Sequence, residues 1–260
     1  MNTIHTIRDC LKFRAVGTGE PALPESGKPA PGTGDILHIW SARYSDLDRY
    51  YPVLSRFISA DEVTKAAGFK KSKDTQKYIL RHGMTRAVLG QYIKKDPREI
   101  RFVHDGSGKP NLDPEGDAHD IRFSLSRTDE MVCLGISKKS RIGLDIVKSD
   151  SRYPFFATAQ YLFTPGERRW IAQMTPRGQH VRFFRIWSLK EALLKATGGD
   201  VHMMKDTDVS GIMTNHFLDG YYPVSIGKKE LLFFIRECGY DIGHHCTLAT
   251  MPATNTGLQK

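Results

Sequence analysis

Three side chains could do chemistry together. Asp145 interrupts the alternating apolar segment Ile142-Gly143-Leu144-Asp145-Ile146-Val147, and Glu191 with Lys195 follows 46 residues later in the stretch 185–198. An unpaired carboxylate inside an apolar strand is costly. Asp145 therefore needs either a cation or a hydrogen-bonded place in the core. Glu191 and Lys195 are four residues apart. They read either as an ordinary surface pair, stabilising by roughly a few tenths of a kcal/mol, or as an acid and an ammonium presented to a ligand. If the strand and the helix converge, they can hold a hard cation such as Mg²⁺, which takes one or two protein carboxylates plus phosphate oxygens and waters. Lys195 would reach the same phosphates. From residues alone this predicts a Mg²⁺ site for a pyrophosphate-containing substrate.

The elements that must position these groups are legible from periodicity and caps. Leu189, Leu193 and Ala196 form one apolar stripe of a helix, with Trp187, Glu191 and Lys195 on roughly the opposite side. Gly198-Gly199 ends it, and its start is expected near residue 180. Asp145 belongs to a strand over 142–147 that sends Gly143, Asp145 and Val147 to one side. Ser59 and Glu62 form a capping box that opens a helix to about Phe69. A longer helix over 74–93 turns Ile79, Leu80, Met84, Ala87, Val88 and Tyr92 inward. Thr164, Pro165 and Glu167 open a further helix in the same way. Strands are expected at 36–40, 100–103, 121–126, 131–137, 221–226, 231–237 and 246–251, with Gly227-Lys228-Lys229 turning one hairpin. His104-Asp105-Gly106-Ser107-Gly108-Lys109-Pro110 is a tight turn.

Composition narrows the partner. With 260 residues the chain can bury a real core, and its net charge of +9 favours an anionic partner: nucleic acid, a phosphorylated small molecule, an acidic protein or a membrane surface. The basic run Lys65, Lys70, Lys71, Lys73, Lys77, Arg81, His82 and Arg86 reads as a solvated helical face or as a phosphate grip. No apolar run approaches the ~18 residues of a membrane span. The first residues carry no signal-peptide core, and the cysteines Cys10, Cys133, Cys238 and Cys246 lack a CxxC, so free thiols and a cytoplasmic location are expected. Cys238 and Cys246 with His244 and His245 fit no common zinc spacing. The Gly/Pro-rich stretch 17–34 predicts a flexible extension over 1–34, with one half at 35–140 and a second at 141–260. Each half reads as a few strands plus helices, which suggests a pseudo-duplication.

Four blocks in order carry a family resemblance. Gly108-Lys109-Pro110, Phe123-Ser124-Leu125-Ser126-Arg127, Gly143-Leu144-Asp145-Ile146 and Trp187-Ser188-Leu189-Lys190-Glu191-Ala192-Leu193-Leu194-Lys195 resemble the signature elements of 4′-phosphopantetheinyl transferases, of the larger, monomeric surfactin-synthetase-activating type. The resemblance covers about residues 36–252. It implies an α+β, pseudo-duplicated two-half fold, each half a small antiparallel sheet packed with helices, with the active site at their interface. It implies transfer of the phosphopantetheine arm of coenzyme A to a carrier-protein serine, releasing 3′,5′-ADP. It assigns Asp145 and Glu191 to Mg²⁺. Glu191 would also take the serine proton, and Lys195 would bind the pyrophosphate. Gly108, Lys109 and Pro110 would frame the adenine. Lys65, Arg81, Arg86, Ser126, Arg127 and Lys190 would join Lys195 around coenzyme A. The carrier is expected to be acidic near its serine, which suits a basic enzyme; Phe155, Phe156 or Tyr161 would touch it.

Two departures from the family pattern stand out. Val147 occupies the place where the family often has a third carboxylate, and Arg127 stands where His is usual. Arginine keeps the charge and grips phosphate, but it is no proton switch. Two other readings compete. A nucleic-acid-binding protein should show a dense basic–aromatic motif or a recognised module, and the sequence has neither. A catalytically silent relative would keep the coenzyme A site and lose activity through Val147.

Overall fold

The computed structural model describes residues 12–15 (backbone only), 35, 37–116, 120–239 and 243–251. In chain order, leaving aside the shortest helices, its elements are β1 (Lys12–Ala15), β2 (Leu37–Arg43), α1 (Ala60–Ala67), α2 (Ser72–Ile93), β3 (Phe102–His104), β4 (Pro110–Leu112), β5 (Arg122–Arg127), β6 (Met131–Ser137) and β7 (Arg141–Lys148). There follow α3 (Phe155–Leu162), α4 (Pro165–Ala172), α5 (Pro176–Thr197), β8 (Thr207–Asp208), β9 (Asp219–Ile226), β10 (Lys229–Gly239) and β11 (His244–Met251). Helices and antiparallel sheets occur together, so the fold is α+β. Ile36, Cys10 and the Gly/Pro-rich stretch 17–34 lie outside the described residues.

The chain divides into two compact units. One comprises Met1–His104, Pro110–Ile121 and Asp129–Lys138, the other Asp105–Lys109, Arg122–Thr128 and Lys139–Lys260. In the N-terminal unit β1 and β6 flank β2 antiparallel. Residues 12–15 of the expected loose head are thus paired in a ladder, with Lys12 opposite Ser41. Ser59 accepts from the Glu62 amide and Glu62 from the Ser59 amide, the capping box that starts α1. α2 buries Ile79, Leu80, Met84, Ala87 and Val88. Tyr92, at its inner end, takes a hydrogen bond from Trp40 Nε1 (2.9 Å) and meets His38 Nδ1 (2.5 Å).

The C-terminal unit is a five-stranded sheet in the order β7-β11-β10-β9-β8, with α5 packed on β7 and β11. A two-residue turn at Gly227 (φ +60°) and Lys228 closes the β9–β10 hairpin, as the sequence leads one to expect. α5 starts at Pro176, earlier than its apolar stripe alone suggests, because Pro at the first turn costs no helical hydrogen bond. It ends where Gly198 turns left-handed (φ +78°), its amide bonding back to Leu194 O. Phe183, Ile186, Leu189, Ala192 and Leu193 of α5 are buried, as are Phe233 and Ile235 of β10. They share one apolar cluster in this unit.

Candidate active site

Gly143 decides how close the strand and the helix approach. A Cβ there would stand 1.8 Å from Ala192 O and 2.6 Å from Ala196 N. Only glycine lets α5 press its backbone onto β7 at this level. Two residues on, Asp145 faces the same side, and Ser188 Oγ on α5 reaches its backbone oxygen (3.3 Å) and Thr247 Oγ1 (3.1 Å). Thr247 is the cross-strand partner of Asp145. The other edge of β7 meets hydroxyls from β5. Ser124 Oγ accepts the Leu144 amide (3.0 Å) and Ser126 Oγ the Ile146 amide (3.1 Å).

The three chemical side chains converge in this frame. Lys195 Nζ donates to Asp145 Oδ1 (2.6 Å) and lies 3.8 Å from Glu191 Oε2. Ser126 Oγ gives Asp145 Oδ1 a second bond (2.9 Å). Asp145 Oδ2 is buried with no hydrogen-bond partner. Burial raises the Glu191 carboxyl above its usual range; the Lys195 charge opposes this and the Asp145 charge adds to it. An orphaned buried carboxylate oxygen beside a second, proton-hungry carboxylate is a donor set that a hard divalent cation satisfies. The residues therefore fit Mg²⁺. Among the described residues no group of three or more His, Cys, Asp or Glu could hold a metal. The protein's share of such a site would be two carboxylates, with the remaining oxygens from ligand and water. The side chains of Asp145, Glu191 and Lys195 are 9%, 23% and 26% exposed, so a ligand can reach the last two.

Several expected ligand contacts are spent elsewhere. Lys190 is fully buried and pairs with Glu167 at 2.5 Å, over the ring of Phe163. Its ammonium is spent in the core instead of on a ligand. Glu167 is held in turn by the amides of Thr164 and Val209. Arg86 is 3% exposed. Its guanidinium bonds Glu62 (2.7 Å), Pro97 O (3.0 Å) and Ile100 O (2.8 Å), which leaves it bracing the N-terminal unit instead of a phosphate. Ser126 positions Asp145, its hydroxyl consumed by the bonds above. Phe155 is buried, whereas Phe156 and Tyr161 are exposed. Lys65 is exposed at the end of α1 and Arg81 lies over the Tyr78 ring, both in the N-terminal unit. Pro110 begins β4 in that unit. Arg127 and Gly108 (φ +82°) are exposed in the C-terminal unit.

The residues Ser124, Ser188, Thr247 and Glu167 support the site without being singled out by their types. Ser188 lies inside the tryptophan-to-lysine block and Glu167 inside a capping box, so each carries a signal. Thr247 carries none, because strand pairing over a hundred residues is invisible in local pattern. Val147 packs with Trp187 against the apolar cluster of this unit. It offers no oxygen.

Known proteins resemble the chain over the segment that carries these residues. Residues 141–236 match the model of the 4′-phosphopantetheinyl transferase superfamily, a span that contains Asp145, Glu191 and Lys195. The chain is 24% identical over 176 residues to 4′-phosphopantetheinyl transferase HetI of Nostoc sp., covering 68% of this chain and 74% of that one. It is 26% identical over 151 residues to 4′-phosphopantetheinyl transferase Sfp of Bacillus subtilis, covering 58% and 65%. It is 29% identical over 153 residues to a phosphopantetheinyl transferase of Thraustochytrium sp., where the match spans 54% of this chain and 52% of the relative's length. By the matched family model and these relatives, the chain is similar to the 4′-phosphopantetheinyl transferase superfamily, over the segment that carries Asp145, Glu191 and Lys195.

Proposed function

We propose that this protein transfers the 4′-phosphopantetheine arm of coenzyme A to a serine of an acyl or peptidyl carrier protein, in the manner of a holo-acyl-carrier-protein synthase, releasing 3′,5′-ADP. The observation that carries the reading is Lys195 set between Asp145 and Glu191, with Asp145 Oδ2 unfilled. Asp145 and Glu191 would hold Mg²⁺, which when bound offsets the negative charge of the pyrophosphate. Glu191, made more basic by burial, accepts the proton of the attacking serine. Lys195 places its ammonium on the pyrophosphate and stabilises charge on the departing oxygen. Gly108 and the backbone of Lys109 frame the adenine, while Arg127 supplies positive charge to the phosphates. The net charge of +9 suits an acidic carrier. The same reading makes the enzyme a cytoplasmic monomer built of two duplicated halves; among the described residues no helix is long and apolar enough to cross a membrane.

Intact-mass spectrometry of apo carrier proteins incubated with enzyme, coenzyme A and Mg²⁺ tests the reading. The expected result is a gain of about 340 Da, the mass of the phosphopantetheine arm, absent with chelator and abolished in folded Asp145→Ala and Glu191→Ala. No gain on any of a panel of carriers, or full activity in either variant, overturns it.

A further inference from the structure

The expected adenine-framing turn is tied to the far end of α5 by one side chain. Lys109 Nζ donates to Ile142 O at 2.6 Å and to Lys195 O at 2.8 Å. The first carbonyl immediately precedes Gly143, the glycine that seats α5 on β7. The second belongs to Lys195 itself, among the last-turn carbonyls that a helix leaves without internal donors. Neighbouring carbonyls of that turn are also met: Leu194 O by the Gly198 and Gly199 amides, and Thr197 O by Arg141 Nη2 (2.5 Å). Two cations thus finish the helix at its negative end.

The turn that carries Lys109 is internally braced. Asp105 Oδ1 accepts from the Ser107 amide (3.0 Å), Ser107 Oγ (2.6 Å) and the Lys109 amide (3.0 Å), and the backbone closes from Asp105 N to Lys109 O (3.0 Å). Gly106, Ser107 and Gly108 are exposed, so one face of the turn is open while its lysine reaches inward. The clasp therefore joins three parts of one unit: an exposed turn, the strand that presents Asp145 and the helix that presents Glu191 and Lys195.

We infer that Lys109 is a positioning residue: its ammonium clasps the 105–109 turn to the C-terminal end of α5 and so fixes where Lys195 meets the pyrophosphate. This rests on the transferase reading above. It departs from a simple adenine contact, because the ammonium is committed to two protein carbonyls. A clasp of this kind sets the rate of the chemical step more than the affinity for coenzyme A, since an interaction made in the transition state is what a displaced Lys195 loses.

The test compares Lys109→Met, Lys109→Gln and Lys109→Arg with wild type and Lys195→Ala. Steady-state transfer is read with coenzyme A and carrier, and amide hydrogen–deuterium exchange is read at Gly198 and Gly199. Lys109→Met is expected to lower kcat about tenfold or more, with the KM for coenzyme A changed by less than about threefold. Exchange at Gly198 and Gly199 should rise, and Lys109→Arg should recover part of both losses. Should Lys109→Met fail to fold, Lys109→Gln, which keeps a donor without the charge, is read on the same scale. A loss confined to KM shows that the ammonium touches the ligand and overturns the clasp; so does unchanged kcat with unchanged exchange. Wild type without transfer activity, or Lys195→Ala with full activity, fails the transferase reading instead, and the exchange measurement then still decides the clasp.

Discussion

Asp145 shows what one carboxylate's two oxygens can be asked to do. Oδ1 takes Lys195 and Ser126, while Oδ2 has no protein partner. An orphan of this kind costs roughly 1–3 kcal/mol, more when the group is charged, and a cation removes the cost. Val147, two residues along the same strand face, is the position from which a third carboxylate would look toward the same place. Its methyl groups pack against the apolar cluster that includes Phe183 and Leu189, with Trp187 beside it. Val147→Glu is expected to lower the Mg²⁺ concentration needed for half-maximal transfer, because a third anionic oxygen raises the charge of the site. A Mg²⁺ titration superimposable on wild type would put position 147 outside the metal's reach. Residue types alone point to Asp145, Glu191 and Lys195. They cannot separate these from Lys190 and Arg86, since a lysine or arginine looks the same in sequence whether it faces a phosphate or a buried glutamate.

At the scale of elements, the site is a strand and a helix held at backbone contact. Gly143→Ala would drive a methyl into Ala192 O and the Ala196 amide. Neither backbone atom can rotate away, so the helix must shift, at about 1–3 kcal/mol or more. The expected outcome is a lower Tm together with loss of transfer larger than the loss of folded protein; circular dichroism and activity on the same sample check it. A variant with wild-type Tm and rate would mean that α5 is not seated as described. The buried Lys190–Glu167 pair holds the same helix from the other side, to α4 and to the Val209 amide. Glu167 is legible as half of a capping box, but its second task is not. The helices are readable from caps and apolar stripes because those signals are local. The ladder pairing Asp145 with Thr247 brings together residues 102 apart, and no local period encodes that.

For the whole molecule, Glu62 of the N-terminal unit ties stability to acid pH. Burial alone would raise Glu62. The bonds from His82, the Ser59 amide and Arg86 outweigh it and hold its carboxyl at about 2 instead of 4.5. A carboxyl depressed on folding adds stability that is complete above its unfolded value and fades as pH falls from about 4.5 toward 2. The contribution is on the order of 3 kcal/mol. His82 acts with the same sign: burial lowers it, so acid favours the unfolded chain that can protonate it. Denaturant titrations at pH 7 and pH 3.5 should show a smaller acid loss in Glu62→Gln than in wild type, with the variant already weaker at pH 7. Equal acid losses in the two proteins would remove Glu62 from that role. The sequence by itself determined the α+β class, the helix boundaries near their caps, the glycine stop after Thr197 and the family blocks, because each is written in neighbouring residues. Only the tertiary structure decided that Lys195 bridges Asp145 and Glu191, that Lys109 grips the end of α5, and that Lys190, Arg86 and Ser126 serve the frame. The reason is physical: whether a charged side chain meets a ligand or a buried partner depends on which distant strand and helix pack beside it, and that packing is settled by the whole unit at once.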